Sequence, residues 1–262
     1  MNQYQYIIIE NFGKTVVITF NRPEVFNAMN IQIKFEIMEA IKIANEDESI
    51  RSIILTGAGK AFSSGQDLND KSIQASNVPI DLGHTLKTEW NPLIESIRNS
   101  PKIVIAAING VCAGAGLSVA LACDLKVSKP GTKFVSGFAQ IGLCPDAGTS
   151  YILSRHFGYS RALEFSLLGK PLTAGQLFEA GLINKLSEDE KESALKMAEM
   201  INFLAPKSVE LIKKNLQFGY ESSFNDSVEK ETSAQRSLGL TEDFKEGVTA
   251  FLEKRKAEFR GL

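Results

Sequence analysis

The sequence predicts an α/β protein with buried parallel strands, followed from about Ser187 by an all-helical region. Three observations predict it. Short β-branched runs alternate with helix-like segments through most of the chain. Some strand-length runs, such as Ile103 to Ile108, are apolar without alternation, as strands covered on both faces are. The C-terminal part shows four helical patterns with no strand-like run between them. The division expected is residues 1–187 as a core and 188–262 as a helical region.

The elements follow in order. Tyr6 to Glu10 and Thr15 to Phe20 are strand-like runs separated by Asn11-Phe12-Gly13-Lys14, a hairpin. From Ile31 to Asn45 apolar residues fall at Ile33, Phe35, Ile37, Met38, Ile41 and Ala44, a mostly helical spacing, and Asn30 is placed to cap it. Ser52 to Leu55 is a buried strand that ends at the turn Gly57-Ala58-Gly59. Thr85 to Asn99 reads as one helix, and Pro101 separates it from the strand Ile103 to Ile108. A glycine-rich turn then leads into a small apolar helix holding Leu117, Val119, Ala120 and Leu121. Asp124 to Ser128 and Lys133 to Val135 are short strands, and a loop through Gly142 and Pro145 opens a helix at Ala147. The C-terminal helices are expected at Glu188 to Leu204, Pro206 to Phe218, Phe224 to Leu238 and Thr241 to Glu258. Pro206 suits a first helical position, and Gly219 and Gly239 mark breaks. The apolar faces of these helices need burial on the core or on another subunit.

Composition narrows the function classes. The chain has 262 residues, 44% hydrophobic and 23% charged, enough for a sizeable core. A net charge of −2 with interspersed signs gives no basic footprint for nucleic acid, so an anionic substrate has to be held by a few local groups. No stretch approaches the length of a membrane span, and MNQYQYIIIE lacks the features of a secretory leader. The three cysteines (Cys112, Cys123, Cys144) have no metal-ligand spacing, and with only two histidines no metal site is expected. Reduced thiols and the lack of a leader make the cytoplasm the expected compartment.

Two glycine motifs imitate nucleotide sites without completing them. Gly57-Ala58-Gly59-Lys60 ends a strand like a phosphate loop, but Ile54 replaces the first glycine and Ala61 the Mg²⁺-binding hydroxyl. Gly114-Ala115-Gly116 lies between strand and helix, yet Val119 stands where a dinucleotide site needs its third glycine. The glycines still require a cause. Gly110, Gly114 and Gly116 allow close backbone approach, and the helix starting near Ala115 aims free N–H groups outward. The turn Phe62-Ser63-Ser64-Gly65-Gln66-Asp67 can do the same. Two such loops facing one point form an oxyanion hole; the alternative is that the glycines serve tight turns alone. Asp146, just before a predicted helix, is by its position either an N-cap or an acid/base.

The segments Asn21-Arg22-Pro23-Glu24 to Asn27-Ala28-Met29, Ala61-Phe62-Ser63-Ser64-Gly65-Gln66-Asp67-Leu68, Ile108-Asn109-Gly110 to Gly116, and Cys123-Asp124 resemble the crotonase (enoyl-CoA hydratase/isomerase) family. The resemblance runs from about Val16 to Phe251-Leu252-Glu253-Lys254-Arg255. It implies a ββα superhelix with a C-terminal helical trimerisation region, a homotrimer or dimer of trimers. It also implies an acyl-coenzyme A substrate with no further cofactor. The oxyanion donors implied are the backbone N–H groups of Gln66 and Ala115. Coenzyme A would contact Arg22, Ala28, Ser64, Asp67 and Leu68, with Phe251 and Lys254 of a neighbouring subunit at the adenine and phosphate end. Phe138 and Leu143 would line the acyl pocket, whose shape depends also on residues near Ile80 to Leu93.

Departures from the family pattern carry information. Hydratases of the family use two glutamates to handle water; Ser118 and Phe138 hold those positions here, and neither can act as a carboxylate base. Asp146 stands where isomerases of the family often carry an acid. An apolar surround of Phe138, Ile141 and Leu143 would raise its pKa. Within the family, Ser64-Gly65-Gln66-Asp67-Leu68-Asn69-Asp70, Asp81-Leu82-Gly83, Asn91-Pro92-Leu93, Pro145-Asp146 and Glu246-Gly247-Val248-Thr249-Ala250-Phe251-Leu252 are most similar to ring 1,2-epoxyphenylacetyl-CoA isomerases. The expected activity is therefore acyl-CoA isomerisation, including transfer of a double bond from the 3 to the 2 position. The alternatives are a plain 3,2-enoyl-CoA isomerase, an enoyl-CoA hydratase, and a non-catalytic or RNA-binding module on the same fold.

Overall fold

In the computed structural model, which describes residues 4–70 and 81–262, the strands fall into two sheets. The strands are β1 (Ile7–Phe12), β2 (Thr15–Phe20), β3 (Ser52–Gly57), β4 (Ala61–Ser63), β5 (Ile103–Ile108), β6 (Val111–Ala113), β7 (Leu125–Ser128), β8 (Lys133–Val135), β9 (Leu172–Thr173) and β10 (Lys185–Leu186). A six-stranded sheet runs β1-β2-β3-β5-β7-β10, and a four-stranded sheet runs β4-β6-β8-β9. Three successive strand pairs, β3/β4, β5/β6 and β7/β8, each give one strand to either sheet. Each pair lies parallel beside the pair before it. This is the ββα superhelix that the family resemblance implied.

The pleat explains why the central strands are apolar throughout. Ile53, Leu55, Val104, Ala106 and Ile108 join one core cluster. Their alternates Ile54, Ile105 and Ala107 join a second cluster with Val17, Val127, Ala194 and Ala198. Alternate residues point to opposite faces, so the large sheet is covered on both sides. The second cover is the helix Glu190–Asn202, whose small Ala194 and Ala198 let it approach the sheet. The first of the expected C-terminal helices is thus also a layer of the core.

Most elements lie where the sequence placed them. The first two strands form the antiparallel hairpin, closed by Gly13-Lys14. The helix Ile31–Glu46 starts at Asn30, whose side chain accepts the Ile33 N–H at 3.0 Å. Several boundaries differ; the last helix, expected to reach Glu258, ends at Glu253 because Lys254 takes a left-handed conformation. The expected helix from Thr85 to Asn99 is a short helix Leu82–Thr85, a π-turn Leu86–Trp90 and a helix Asn91–Arg98. The helix expected at Ala147 begins at Thr149, because Ala147 and Gly148 both have positive φ. The three remaining C-terminal helices, Pro206–Gly219, Phe224–Leu238 and Glu242–Glu253, leave Leu216, Phe224, Leu240, Phe251 and Leu252 strongly exposed. No helix among the described residues is long and apolar enough to cross a membrane.

Candidate functional site

The small sheet positions the site. Its first three strands are parallel, so their C-terminal ends share one edge. From that edge emerge Ser64-Gly65-Gln66 after β4, Gly114-Ala115 after β6, and the segment from Ser136 that reaches Asp146 after β8. Three successive turns of the superhelix therefore start the segments that carry the sequence-predicted residues from one edge.

The first two loops touch. Gly65 has φ +99°, and a Cβ there would lie 2.9 Å from the Ala113 carbonyl oxygen and 3.0 Å from the Ala115 nitrogen. Gly116 is similarly required: a Cβ on it would meet the Ser63 carbonyl oxygen at 2.6 Å. These glycines bring the backbones of the two turns within contact, a role beyond tight turning alone.

Among the described residues, both candidate donors are left free by the local hydrogen bonding. Gln66 forms a parallel bridge with Met29, in which Met29 N–H donates to Gly65 O (2.7 Å) and Asp67 N–H donates to Met29 O (3.0 Å). That pattern uses the groups on either side of Gln66 and points its own N–H away from Met29. Ala115 is the first residue of a helix, Ala115–Ala122, whose eight residues are all buried. Its N–H has no partner one turn back, and none among the described residues supplies one. A buried helix start with a free N–H is suited to an anionic oxygen.

Asp146 is distinctive for what it lacks. Its Oδ1 is buried without a hydrogen-bond partner among the described residues. It does not cap the following helix: the cap position is Gly148, with no side-chain cap bond. Only the Asp146 carbonyl serves the turn, accepting the Thr149 N–H at 2.9 Å. Burial pushes the carboxyl up to about 6, partly opposed by its own backbone N–H. The direction is the one expected, but two of the three residues credited with it differ: Ile141 and Leu143 are exposed, and only Phe138 is buried. Thr149, three residues on, shares a buried 2.6 Å hydrogen bond with Ser118, one turn into the Ala115 helix. This bond fastens the Asp146 turn to the helix that carries the second donor.

The residues expected to meet coenzyme A divide into two groups. Arg22, Ala28 and Asp67 are drawn together by contacts among themselves, and Ser64 is tied to the same loop through Phe26 and Val25. The Arg22 guanidinium donates to Ala28 O (2.6 Å) and Asp67 Oδ2 (2.8 Å) and lies over the Tyr6 ring at 5.0 Å. Ser64 N–H donates to Phe26 O at 2.9 Å, and Leu68 beside them is exposed. Arg22 and Asp67 thus organise the loops, with Arg22 Nε buried and unpartnered among the described residues. Phe251 and Lys254 lie in the second group. Phe251 is 82% exposed and borders a groove of about 510 Å³ with Phe244, Val248 and Phe259 of the same C-terminal region. Ile80, named with the acyl pocket, lies outside the described residues.

Sequence reasoning missed Lys34, Glu89, Trp90 and Thr149. Lys34 lies on the inner face of its helix with Ile33, Ile37 and Ile41, buried to 1% exposure. A charge within that apolar stripe was the available signal. It pairs with Glu89, lies 4.7 Å from the Trp90 ring centroid and donates to Gln66 Oε1.

A ββα superhelix whose small sheet sends out from one edge two amides left free among the described residues, and the segment that carries a half-buried carboxyl, has the architecture of the crotonase-fold class. The model of the enoyl-CoA hydratase/isomerase family matches residues 11–261, and the chain belongs to that family. It is 36% identical to the 1,2-epoxyphenylacetyl-CoA isomerase of Escherichia coli, over 97% of this chain and 98% of the other. It is also 36% identical to a probable enoyl-CoA hydratase of Rhodobacter capsulatus, over 98% and 99% of the two chains. Among solved structures, an enoyl-CoA hydratase from a Polaromonas species superposes with a TM-score of 0.91 at 32% identity, covering 97% of this chain and 99% of that one. The chain is therefore an enzyme of the hydratase/isomerase type.

Proposed function

We propose that the enzyme is an acyl-CoA isomerase in which the Gln66 and Ala115 N–H groups hold the thioester oxygen and Asp146 moves the proton. The observation that carries this reading is the Asp146 carboxyl: half-buried, with a buried Oδ1 that has no partner among the described residues, free of capping duty and raised to about 6. A carboxyl of that pKa is mostly ionised at neutral pH, yet basic enough to take a proton from the carbon next to a thioester. With a 3-enoyl-CoA, Asp146 takes the proton from C2, and the electron pair delocalises onto the thioester oxygen as a dienolate. The two N–H donors stabilise that charge, and Asp146 returns the proton at C4. Such donors are worth about 2.7–4 kcal/mol each in acyl-transfer enzymes.

Water addition is disfavoured on this reading. Ser118 is held by Thr149 and Phe138 is buried, so neither position at which the family's hydratases carry a glutamate supplies a carboxylate to activate water. The finer assignment, a ring 1,2-epoxyphenylacetyl-CoA isomerase of phenylacetate breakdown, rests on the motif resemblance and on the relative of that name. The exposed Phe224, Leu240, Phe251 and Leu252 suit a homotrimer or a dimer of trimers, in which a neighbour's Phe251 and Lys254 reach the adenine end. No cofactor beyond the thioester is required.

The test is isomerisation of a 3-enoyl-CoA beside hydration of crotonyl-CoA, for the native enzyme and for Asp146→Asn. Isomerisation that collapses in the variant, with negligible hydration throughout, is expected. Robust native hydration, or isomerisation indifferent to the change, would overturn the mechanism. Ring 1,2-epoxyphenylacetyl-CoA offered in parallel decides the acyl assignment.

A further inference from the structure

The side chain of Gln66 is held as firmly as its backbone is left free. Its Oε1 accepts from Trp90 Nε1 at 2.9 Å and from Lys34 Nζ at 3.2 Å, while its Nε2 donates to Asp67 O at 3.3 Å. Three chain segments meet at that one oxygen: the loop after β4, the helix Ile31–Glu46 and the π-turn Leu86–Trp90. Lys34 Nζ also pairs with Glu89, and the ammonium lies close to the Trp90 ring. Glu89 and Trp90 are adjacent in sequence and both are buried. The π-turn contributes to this placement. Asn91 N–H bonds back to Leu86 O, five residues away, so the turn is wider than an α-helical one.

A buried ion pair is a weak source of stability, since desolvation offsets most of its Coulombic gain. A structural explanation therefore accounts poorly for this pair, seated against the side chain of a candidate oxyanion donor. We infer that Lys34, Glu89 and Trp90 are positioning residues that fix the direction of the Gln66 N–H through the Gln66 side-chain amide. The inference rests on the oxyanion role proposed above and extends it to residues that touch no substrate. Direction matters because an amide donor gains most when it is aimed in advance at the oxygen where charge develops.

The experiment reads the thioester carbonyl directly. Butyryl-CoA, ¹³C-labelled at the carbonyl and too saturated to isomerise, is bound to the native enzyme and its infrared band is compared with that of the free thioester. The native band is expected to move to lower wavenumber. Gln66→Leu, Trp90→Phe and the paired change Lys34→Met with Glu89→Leu should each lose most of that shift. Misplaced donors are costly, so kcat on a 3-enoyl-CoA should fall about tenfold in these variants while KM stays within about twofold. Gln66→Glu keeps an accepting oxygen for Trp90 and Lys34 but loses the donation to Asp67 O, so it should retain more of the shift than Gln66→Leu. A full shift and native kcat in folded Gln66→Leu and Trp90→Phe would overturn the inference while leaving the oxyanion hole intact. A native band that does not move would instead overturn the oxyanion reading, and the inference with it.

Discussion

The loop around Gln66 and the turn around Asp146 leave the same small sheet and are built on opposite principles. Around Gln66 the side chains are heavily partnered: Arg22 with Asp67, Lys34 with Glu89, and the Gln66 amide with Trp90, Lys34 and Asp67 O. Besides the Arg22 Nε, the group left over there among the described residues is the Gln66 backbone N–H. At Asp146 the backbone is engaged by Thr149 while the side chain has an unpartnered, buried oxygen. One region presents a fixed dipole whose value lies in not moving. The other presents a group whose value lies in changing protonation state. Geometry should therefore govern the first and pH the second.

The largest effect expected is at the second region. Asp146→Asn keeps the shape and removes the base, and isomerisation kcat should fall by about 10²–10⁴-fold, as measured with a 3-enoyl-CoA. Next comes the first region. Gly65→Ala places a Cβ against Ala113 O and Ala115 N at a strongly positive φ, which forces the two turns apart. A loss of about 10²-fold in kcat is expected, with the purified variant folded by circular dichroism. An unchanged rate there would break the comparison, because it would mean that the approach of the two loops is not needed.

Smaller effects sharpen the distinction. The base must be ionised to act, and its pKa is raised to about 6, so kcat/KM should fall below that pH. At pH 5 it should be roughly tenfold under its plateau, and Gly65→Ala should lower the whole profile without moving the limb. The smallest effect is on stability. The folded carboxyl holds its proton more tightly than the unfolded one, so the native state loses stability as pH rises from about 4 to about 6. Above that window the buried carboxylate is a standing cost, which Asp146→Asn removes. Asp146 is only partly buried, so solvent screening trims the gain to about 1–2 kcal/mol at pH 7.5, vanishing near pH 4. Urea midpoints at the two pH values measure it. A variant less stable at pH 7.5 would show that the carboxylate has a partner after all.

What the sequence revealed divides along the same line. Periodicity placed the hairpin, the Asn30-capped helix and the apolar central strands, because those depend on neighbours in sequence. The motifs placed Gln66, Ala115 and Asp146 in one reading, but sequence position alone favoured Asp146 as a helix cap. Deciding that required Ala147 and Gly148, whose positive φ values shift the helix start past it. Of the Gln66 clamp, the sequence offered just the charge of Lys34 within an apolar helix stripe, with nothing to name its partners. The partners of Gln66 lie 32 and 24 residues away, and a π-turn has no signature in a pattern read at 3.6 residues per turn.

The short strands of the small sheet have a consequence for how such an enzyme can change. Each is only two or three residues long, and the chain leaves the first three at one edge. Every coil of the spiral thus acts as a separate cassette with one exchangeable tip. The long strands carry the framework, so an acid can be erased from one tip and written into another without redrawing the scaffold. Phe138 and Asp146 both lie on the tip after β8, and Ser118 lies one turn into the helix that follows β6, so the positions that set the chemistry sit on two neighbouring tips. Relatives named as isomerase and as hydratase, equally similar to this chain, are what a scaffold of independent tips would produce.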